Sequence, residues 1–117
     1  MISVSNLSKK IGDVQALDNL SFDAEDGQIT GLLGPNGAGK TTCLRTIFGL
    51  LKADQGIATI NNIDVAIKPV AAKQQLGLFP DPFGIYERLT PREYIRYFAE
   101  LSGLSRAAAL EATNRVI

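Results

Sequence analysis

The chain has 117 residues, 45% of them hydrophobic and 21% charged, which is the composition of a folded protein rather than a disordered or fibrous one. Twelve basic residues balance twelve acidic ones, so no excess charge favours nucleic acid or lipid, and we predict no nucleic-acid partner. No apolar run is long enough to cross a bilayer, and the N-terminus lacks the apolar core of a signal peptide, so we expect a cytoplasmic protein of one domain at most.

The first 33 residues predict two or three strands. An interrupted apolar pattern over residues 2–7 suggests a short strand, and residues 20–24 alternate as a half-buried strand does. Residues 25–27 form a predicted turn, since Gly27 accepts a positive φ without penalty. Residues 29–33 are a nearly continuous apolar run, which predicts a strand covered on both faces.

A helix is predicted over residues 40–51, because apolar side chains recur there at the spacing of one helix face. These side chains are Leu44, Ile47, Phe48 and Leu51. Residues 57–60 predict another strand, followed by a hairpin turn at Asn61 and Asn62, since Asn tolerates left-handed backbone better than most residues. Residues 70–75 are weakly helical.

The sequence from Thr90 onwards predicts two helices. Thr90 can cap the first, Pro91 suits its first position, and Glu93 can reach back to the capping amide. The predicted apolar face of this helix consists of Tyr94, Ile95, Phe98 and Leu101. Gly103 supplies its stop, and a second helix is expected to begin near Ser105.

The strongest motif is G-x-x-x-x-G-K-[ST], which Gly34, Gly39, Lys40 and Thr41 satisfy, with Gly37 as a third glycine inside it. A loop around phosphate points its backbone N–H groups inward and approaches the ligand closely, and only glycine permits this at low energy. Lys40 can place a positive charge between the β- and γ-phosphates, and the Thr41 hydroxyl suits Mg²⁺.

The only cysteine, Cys43, follows this motif and excludes an internal disulfide. Two interpretations of it are open: a reactive thiol beside the ligand, or a small buried side chain on a helix. We favour the second.

The stretch GPNGAGKTT, preceded by LSFDAEDGQITGLL and followed by LRTIFGLLKADQGIATINNID, resembles the start of an ATP-binding cassette (ABC) subunit, and the resemblance covers residues 2–104. It implies an α/β P-loop NTPase of the ABC type. An N-terminal antiparallel β subdomain and the start of the nucleotide-binding core would occupy about residues 1–89, and the start of the helical subdomain residues 90–117. Residues 76–104 look most like the sodium-efflux branch of the exporters.

The resemblance implies ATP and Mg²⁺ as ligands, a membrane-spanning permease as partner and a second ATP-binding subunit, so that a homodimer would lie on the cytoplasmic face of the membrane. The ATP-binding residues that it implies are Gly34, Pro35, Asn36, Gly37, Ala38, Gly39, Lys40, Thr41 and Thr42.

Two positions depart from the family pattern. Where the family carries an aromatic residue that stacks on adenine, this sequence has Ile11, so adenine would rest on an aliphatic surface with Val14; alternatively, Ile11 belongs to the core. Where the family has a glutamine that helps to hold Mg²⁺, this sequence has Asp81, which is either a Mg²⁺ ligand or a turn residue.

Hydrolysis in this family needs paired acids after a strand, an LSGGQ signature and a histidine. The sequence has no histidine, and we interpret Leu101-Ser102-Gly103 as a helix stop rather than a signature. We therefore expect the catalytic half beyond Ile117, with Lys40 only assisting charge stabilisation on phosphate. The alternatives are another kind of P-loop NTPase and a non-catalytic nucleotide-binding module.

Overall fold

The computed structural model describes residues 1–79 and 84–117. They form two compact units, Met1–Gly77 and Leu78–Ile117. The first unit contains a four-stranded sheet with two helices, and the second contains two helices. Within the described ranges, no helix has the length and apolar character that crossing a membrane requires.

The sheet begins with a long hairpin of β1 (Ile2–Ile11) and β2 (Val14–Ala24). Its two-residue turn starts at Gly12, whose φ of 58° suits the first position of a type II′ turn. Both strands are longer than predicted, because bulges interrupt their alternation without ending them. Asn6 and Asn19 each have a φ of 52°, and Nδ2 of the Asn6 side chain donates a hydrogen bond of 2.8 Å to Asn19 Oδ1.

Two further antiparallel strands, β3 (Gln55–Ile60) and β4 (Ile63–Asp64), complete the sheet in the order β2-β1-β3-β4. The predicted turn between them is confirmed. Asn61 and Asn62 have φ values of 48° and 63°, as a type I′ turn requires. The antiparallel β subdomain expected from the sequence is therefore present.

Helices α1 (Lys40–Ile47) and α2 (Pro69–Lys73) belong to the same unit. The predicted extent of α1 was wrong, because Phe48 caps it and Gly49, with a φ of 68°, adopts left-handed backbone. Its predicted apolar face is confirmed in part: Ile47 is buried, whereas Leu44 is exposed. The core consists of Val4, Leu7, Leu17, Cys43, Ile47, Ala58, Ile60, Val65 and Ala72.

Cys43 is a core residue, 1% exposed. Burial raises the pKa of its thiol, because it disfavours the charged thiolate. The interpretation of Cys43 as a small buried side chain is confirmed, and the reactive thiol is not supported, since reactivity requires an accessible thiolate.

The strand predicted over residues 29–33 was wrong. None of its residues is assigned to a strand, and Ile29 and Leu33 are 103% and 92% exposed. A strand is stable only when a neighbour pairs with it. The sheet of the described residues has β2 and β4 at its edges, and neither borders this apolar run.

The second unit begins with α3 (Pro91–Leu101), whose predicted start is confirmed. Thr90 N–H donates to Glu93 Oε2 at 2.9 Å, and Glu93 N–H donates to Thr90 Oγ1 at 3.3 Å. These two bonds form a capping box. The hydrogen bonds from Thr90 hold the pKa of Glu93 below its usual range.

The stop at Gly103, with a φ of 96°, is also confirmed, as is the new helix, α4 (Arg106–Val116), with Ser105 as its cap. The predicted apolar face of α3 is only partly covered, because Phe98 and Leu101 are exposed. This unit instead buries two small side chains of α4, Ala109 and Thr113.

Candidate phosphate-binding site

The loop over residues 34–42, here called the phosphate loop, depends on glycine at two positions. Gly37 and Gly39 have φ values of 83° and 95°, which side chains disfavour. At Gly39 a Cβ would also lie 2.1 Å from the Ala16 carbonyl oxygen. The phosphate loop therefore packs directly on β2, and no other residue fits at Gly39.

The N-terminus of α1 offers free backbone donors at this loop. The first bond into the helix runs from Cys43 N–H to the Gly39 carbonyl at 2.8 Å, so the amides of residues 40–42 have no intrahelical acceptor. The capping residue Gly39 has no side chain to cover them, and the first turn has no acidic residue. The amides and the positive end of the helix dipole are thus available to an anion.

Lys40 folds back across the phosphate loop. Its ammonium donates to the Gly34 carbonyl at 2.5 Å and to the Pro35 carbonyl at 2.7 Å. Within the described part of the chain, no carboxylate forms an ion pair with it. Its hydrogen-bond partners are neutral carbonyls, and an anion at the helix N-terminus would replace them with a charged partner.

Most of the remaining residues of the phosphate loop are exposed. Pro35, Asn36 and Ala38 are exposed, and the Ala38 N–H donates to the Pro35 carbonyl at 3.1 Å to close a turn. Thr41 is exposed, and the carbonyl of Thr42 accepts from Thr46 Oγ1 at 2.8 Å.

The described residues contain no group of three His, Cys, Asp or Glu side chains that could hold a metal alone. A Mg²⁺ ion here would need phosphate oxygens beside the Thr41 hydroxyl, which is the donor set that Mg²⁺ accepts. Asp81, the other predicted metal ligand, lies outside the described residues.

Residues 11–14, here called the hairpin tip, belong to the same hairpin as Ala16, against which Gly39 of the phosphate loop packs. Ile11 and Val14 pair across the hairpin and are 49% and 66% exposed, so the alternative that Ile11 is a core residue was wrong. Gly39 contacts Ala16 on β2. Val14 lies two residues from Ala16, which corresponds to about 7 Å along a strand. This hairpin was not predicted, although Gly12-Asp13 between apolar residues signals one.

Asp54 fixes the strand that leads to the hairpin tip. Its carboxylate accepts from Lys10 N–H at 2.7 Å and from Lys9 Nζ at 3.0 Å, and its own N–H donates to the Ser8 carbonyl at 3.0 Å. The hydrogen bonds from Lys10 and Lys9 lower the pKa of Asp54 below its ordinary 3.8. β1 is therefore held in place over the three residues that precede Ile11.

A glycine loop that wraps an open helix N-terminus, carried next to an antiparallel sheet, defines a P-loop nucleotide-binding protein. The comparison with protein families makes this specific. The profile described as "ABC transporter" matches residues 17–116. The chain belongs to the ATP-binding subunits of the ABC transporters, and the alternative of another kind of P-loop NTPase was wrong.

Two curated relatives share this family. The chain is 40% identical to the ABC transporter ATP-binding protein NatA of Bacillus subtilis strain 168, over 91% of this chain and 45% of NatA. It is 37% identical to the probable multidrug ABC transporter ATP-binding protein YbhF of Escherichia coli K12, over 99% of this chain and 20% of YbhF. The chain thus spans less than half the length of either relative.

A solved structure has the same fold. It is the dimeric, post-hydrolysis state of the ATP-binding cassette MJ0796 bound to ADP and Pi, with a TM-score of 0.76 and 26% identity. The match covers 95% of this chain and 55% of that one.

Proposed function

We propose that the protein binds Mg-ATP at the phosphate loop and, as a full-length ABC subunit, hydrolyses ATP to drive export across a membrane. The observation that carries this proposal is the conjunction of Gly39 against β2, the open amides of residues 40–42 and the Lys40 ammonium held on two carbonyls of the same loop. The cassette MJ0796, which binds ADP and Pi, supports it.

Each part of the phosphate loop has a distinct role in this proposal. The amides of residues 40–42 donate to phosphate oxygens, and Lys40 exchanges the Gly34 and Pro35 carbonyls for the β- and γ-phosphates. Thr41 directs its hydroxyl to Mg²⁺, which neutralises phosphate charge when it is bound. Ile11 and Val14 support the base.

The partners and the cargo are part of the proposal. A second copy of the subunit completes a dimer, as the dimeric cassette MJ0796 supports, and a permease holds the dimer on the cytoplasmic face. Sodium is the proposed cargo, on the resemblance of residues 76–104 to the sodium-efflux branch. Since YbhF is described as a probable multidrug protein, flux of sodium and of drugs should be compared in vesicles that contain the full-length protein and its permease.

Two finer proposals concern catalysis. Asp81 contacts Mg²⁺ in the nucleotide-bound state, so Asp81→Ala weakens binding of Mg-ATP more than binding of metal-free ATP. Equal effects on the two ligands would leave Asp81 as a turn residue.

The 117-residue polypeptide binds ATP without turning it over, since it contains no histidine to position water. Phosphate release that a Lys40→Ala variant abolishes would contradict the second proposal.

The replacement Lys40→Ala tests nucleotide binding itself. Loss of a charge-assisted contact should weaken Mg-ATP by about 10- to 150-fold, or roughly 1.5–3 kcal/mol, in calorimetry. Lys52→Ala is the matched control, because Lys52 is exposed and lies beyond the C-terminal end of α1. Equal affinities of the two variants would show that the phosphate loop is not the site.

A further inference from the structure

We propose that Asn36 is a deamidation site, that its conversion to aspartate or isoaspartate disables the phosphate loop, and that a bound nucleotide protects it. This inference rests on the proposed function, because it concerns the regulation of the same site. It is carried by the exposed pair Asn36-Gly37 and by the turn that holds these two residues.

Asn36 is the only asparagine of the chain that glycine follows. In deamidation, the backbone nitrogen of the next residue attacks the side-chain carbonyl carbon of asparagine, and a Cβ on that residue hinders the approach. Leucine, arginine, isoleucine or another asparagine follows the remaining five, which are Asn6, Asn19, Asn61, Asn62 and Asn114. The attack is therefore least hindered at Asn36.

The side chain of Asn36 is also unrestrained. Asn36 and Gly37 are exposed, and no described residue forms a hydrogen bond with the Asn36 side chain. By contrast, the side chains of Asn6 and Asn19 are joined by a hydrogen bond of 2.8 Å, and Asn61 Oδ1 accepts from the N-terminal ammonium at 2.7 Å. Asn36 thus combines an unhindered nucleophile with a side chain that is free to turn towards it.

The reaction consumes only water. The Gly37 nitrogen attacks Cγ of Asn36 and forms an N–Cγ bond, while the Cγ–Nδ2 bond breaks and the proton of the attacking nitrogen leaves with Nδ2 as ammonia. Water then opens the resulting five-membered imide. Cleavage of its N–Cγ bond gives aspartate, whereas cleavage of the original peptide bond gives isoaspartate, whose main chain runs through Cβ and Cγ.

The turn at residues 35–38 controls when this reaction occurs. The Ala38 N–H donates to the Pro35 carbonyl at 3.1 Å, Gly37 has a φ of 83° and the φ of Asn36 is negative, so the turn is of type II. Its second residue has a ψ of about 120°, which turns the following nitrogen about 120° away from the alignment with Cβ that the imide ring requires. The ring can therefore close only when the turn opens, and a ligand that holds the loop closed should slow the reaction.

Either product places a carboxylate in the phosphate loop. The Lys40 ammonium donates to the carbonyl of Pro35, so the new negative charge arises one residue from an acceptor of that ammonium. It opposes the phosphates and competes with them for Lys40. Isoaspartate also lengthens the main chain ahead of Gly39, whose contact with β2 leaves no room for a Cβ. Both changes should weaken binding at the phosphate end of the proposed site.

Incubation of the protein at mildly alkaline pH, followed by peptide mapping with mass spectrometry, tests the chemistry. Asn36 should become aspartate and isoaspartate at least about tenfold faster than Asn62, which is also exposed in a turn but precedes isoleucine. Mg-tripolyphosphate at about ten times its Kd leaves about one loop in ten unoccupied and should slow the reaction at Asn36 about tenfold. A rate at Asn36 no higher than at Asn62, or an equal rate with and without bound ligand, would overturn the proposal.

The replacement Asn36→Asp tests the consequence. In calorimetry, this variant should bind Mg-ATP and Mg-tripolyphosphate at least about tenfold more weakly than the wild type, because a carboxylate then opposes the phosphates. Asn62→Asp is the matched control, since it adds the same charge at the turn between β3 and β4, and it should bind both ligands as the wild type does. Wild-type affinity of Asn36→Asp would overturn the inference and leave the proposed function intact. No binding of either ligand by fresh wild-type protein would overturn the proposed function itself.

Discussion

The phosphate loop packs on the hairpin that carries the hairpin tip, and the two regions are built in different ways. The phosphate loop depends on backbone, because Gly39 combines a φ of 95° with a contact that leaves no room for a Cβ. The hairpin tip depends on two exposed aliphatic side chains on an ordinary strand pair. In the phosphate loop, backbone geometry thus requires glycine at position 39. At the hairpin tip no such constraint acts, and the side chains set only the apolar area that the proposed site offers to the base.

The replacement Gly39→Ala tests the phosphate loop and should have the largest effect on Mg-ATP binding. Left-handed backbone adds strain of roughly 1–3 kcal/mol for a residue with a Cβ, and the overlap with the Ala16 carbonyl moves the loop off β2. Mg-ATP should bind more than about 100-fold more weakly in calorimetry. Gly31→Ala is the control, because its Cβ would meet nothing within 4 Å. Similar affinities for the two variants would show that the contact with β2 is unimportant.

At the hairpin tip, Val14→Ser should have a moderate effect on nucleotide binding. It removes two methyl groups from the apolar pair, about 1 kcal/mol when partly covered, and should weaken Mg-ATP about fivefold. Val70→Ser on α2 is the matched control, since Val70 is 70% exposed. Mg-tripolyphosphate should bind both variants as it binds the wild type, and an equal loss for tripolyphosphate would assign Val14 to the phosphate end.

The smallest predicted effect is on the melting temperature, and it concerns Asp54, which holds the strand that leads to the hairpin tip. Since hydrogen bonds from Lys10 and Lys9 lower the pKa of Asp54, ionised Asp54 stabilises the fold above its ordinary pKa of 3.8. This contribution disappears as pH falls through the lowered pKa. Wild type should therefore melt above Asp54→Asn at pH 6, and the gap in melting temperature should close as the pH falls below 3.8 and through the lowered pKa. A gap that persists in acid would show that the charge is irrelevant.

Features that depend on neighbours in sequence could be predicted. The phosphate loop, the Asn61–Asn62 turn and the capping box at Thr90 each follow from the backbone preferences or short side chains of a few adjacent residues. The family resemblance followed from the same loop, and the comparisons confirm it.

Features that depend on distant partners could not. Residues 29–33 have the pattern of a buried strand, but pairing decides whether a strand forms, and no described strand borders them. The bulges at Asn6 and Asn19 hid the length of the first hairpin. The predicted face of α1 was right at Ile47 but wrong at Leu44, because Cys43 rather than Leu44 joins Ile47 in the core. The contact of Gly39 with Ala16 joins residues 23 apart in sequence, which no local pattern reveals.

In the proposed site, one nucleotide bridges the phosphate loop and the hairpin tip. Amide and methyl NMR spectra of the protein test it directly. Mg-ATP should shift the amides of residues 37–42 together with the methyl groups of Ile11 and Val14, whereas Mg-tripolyphosphate should shift the loop amides alone. The Ile57 methyl groups should remain unchanged with both ligands. Loop amides that stay in place while Mg-ATP shifts residues elsewhere would contradict the account.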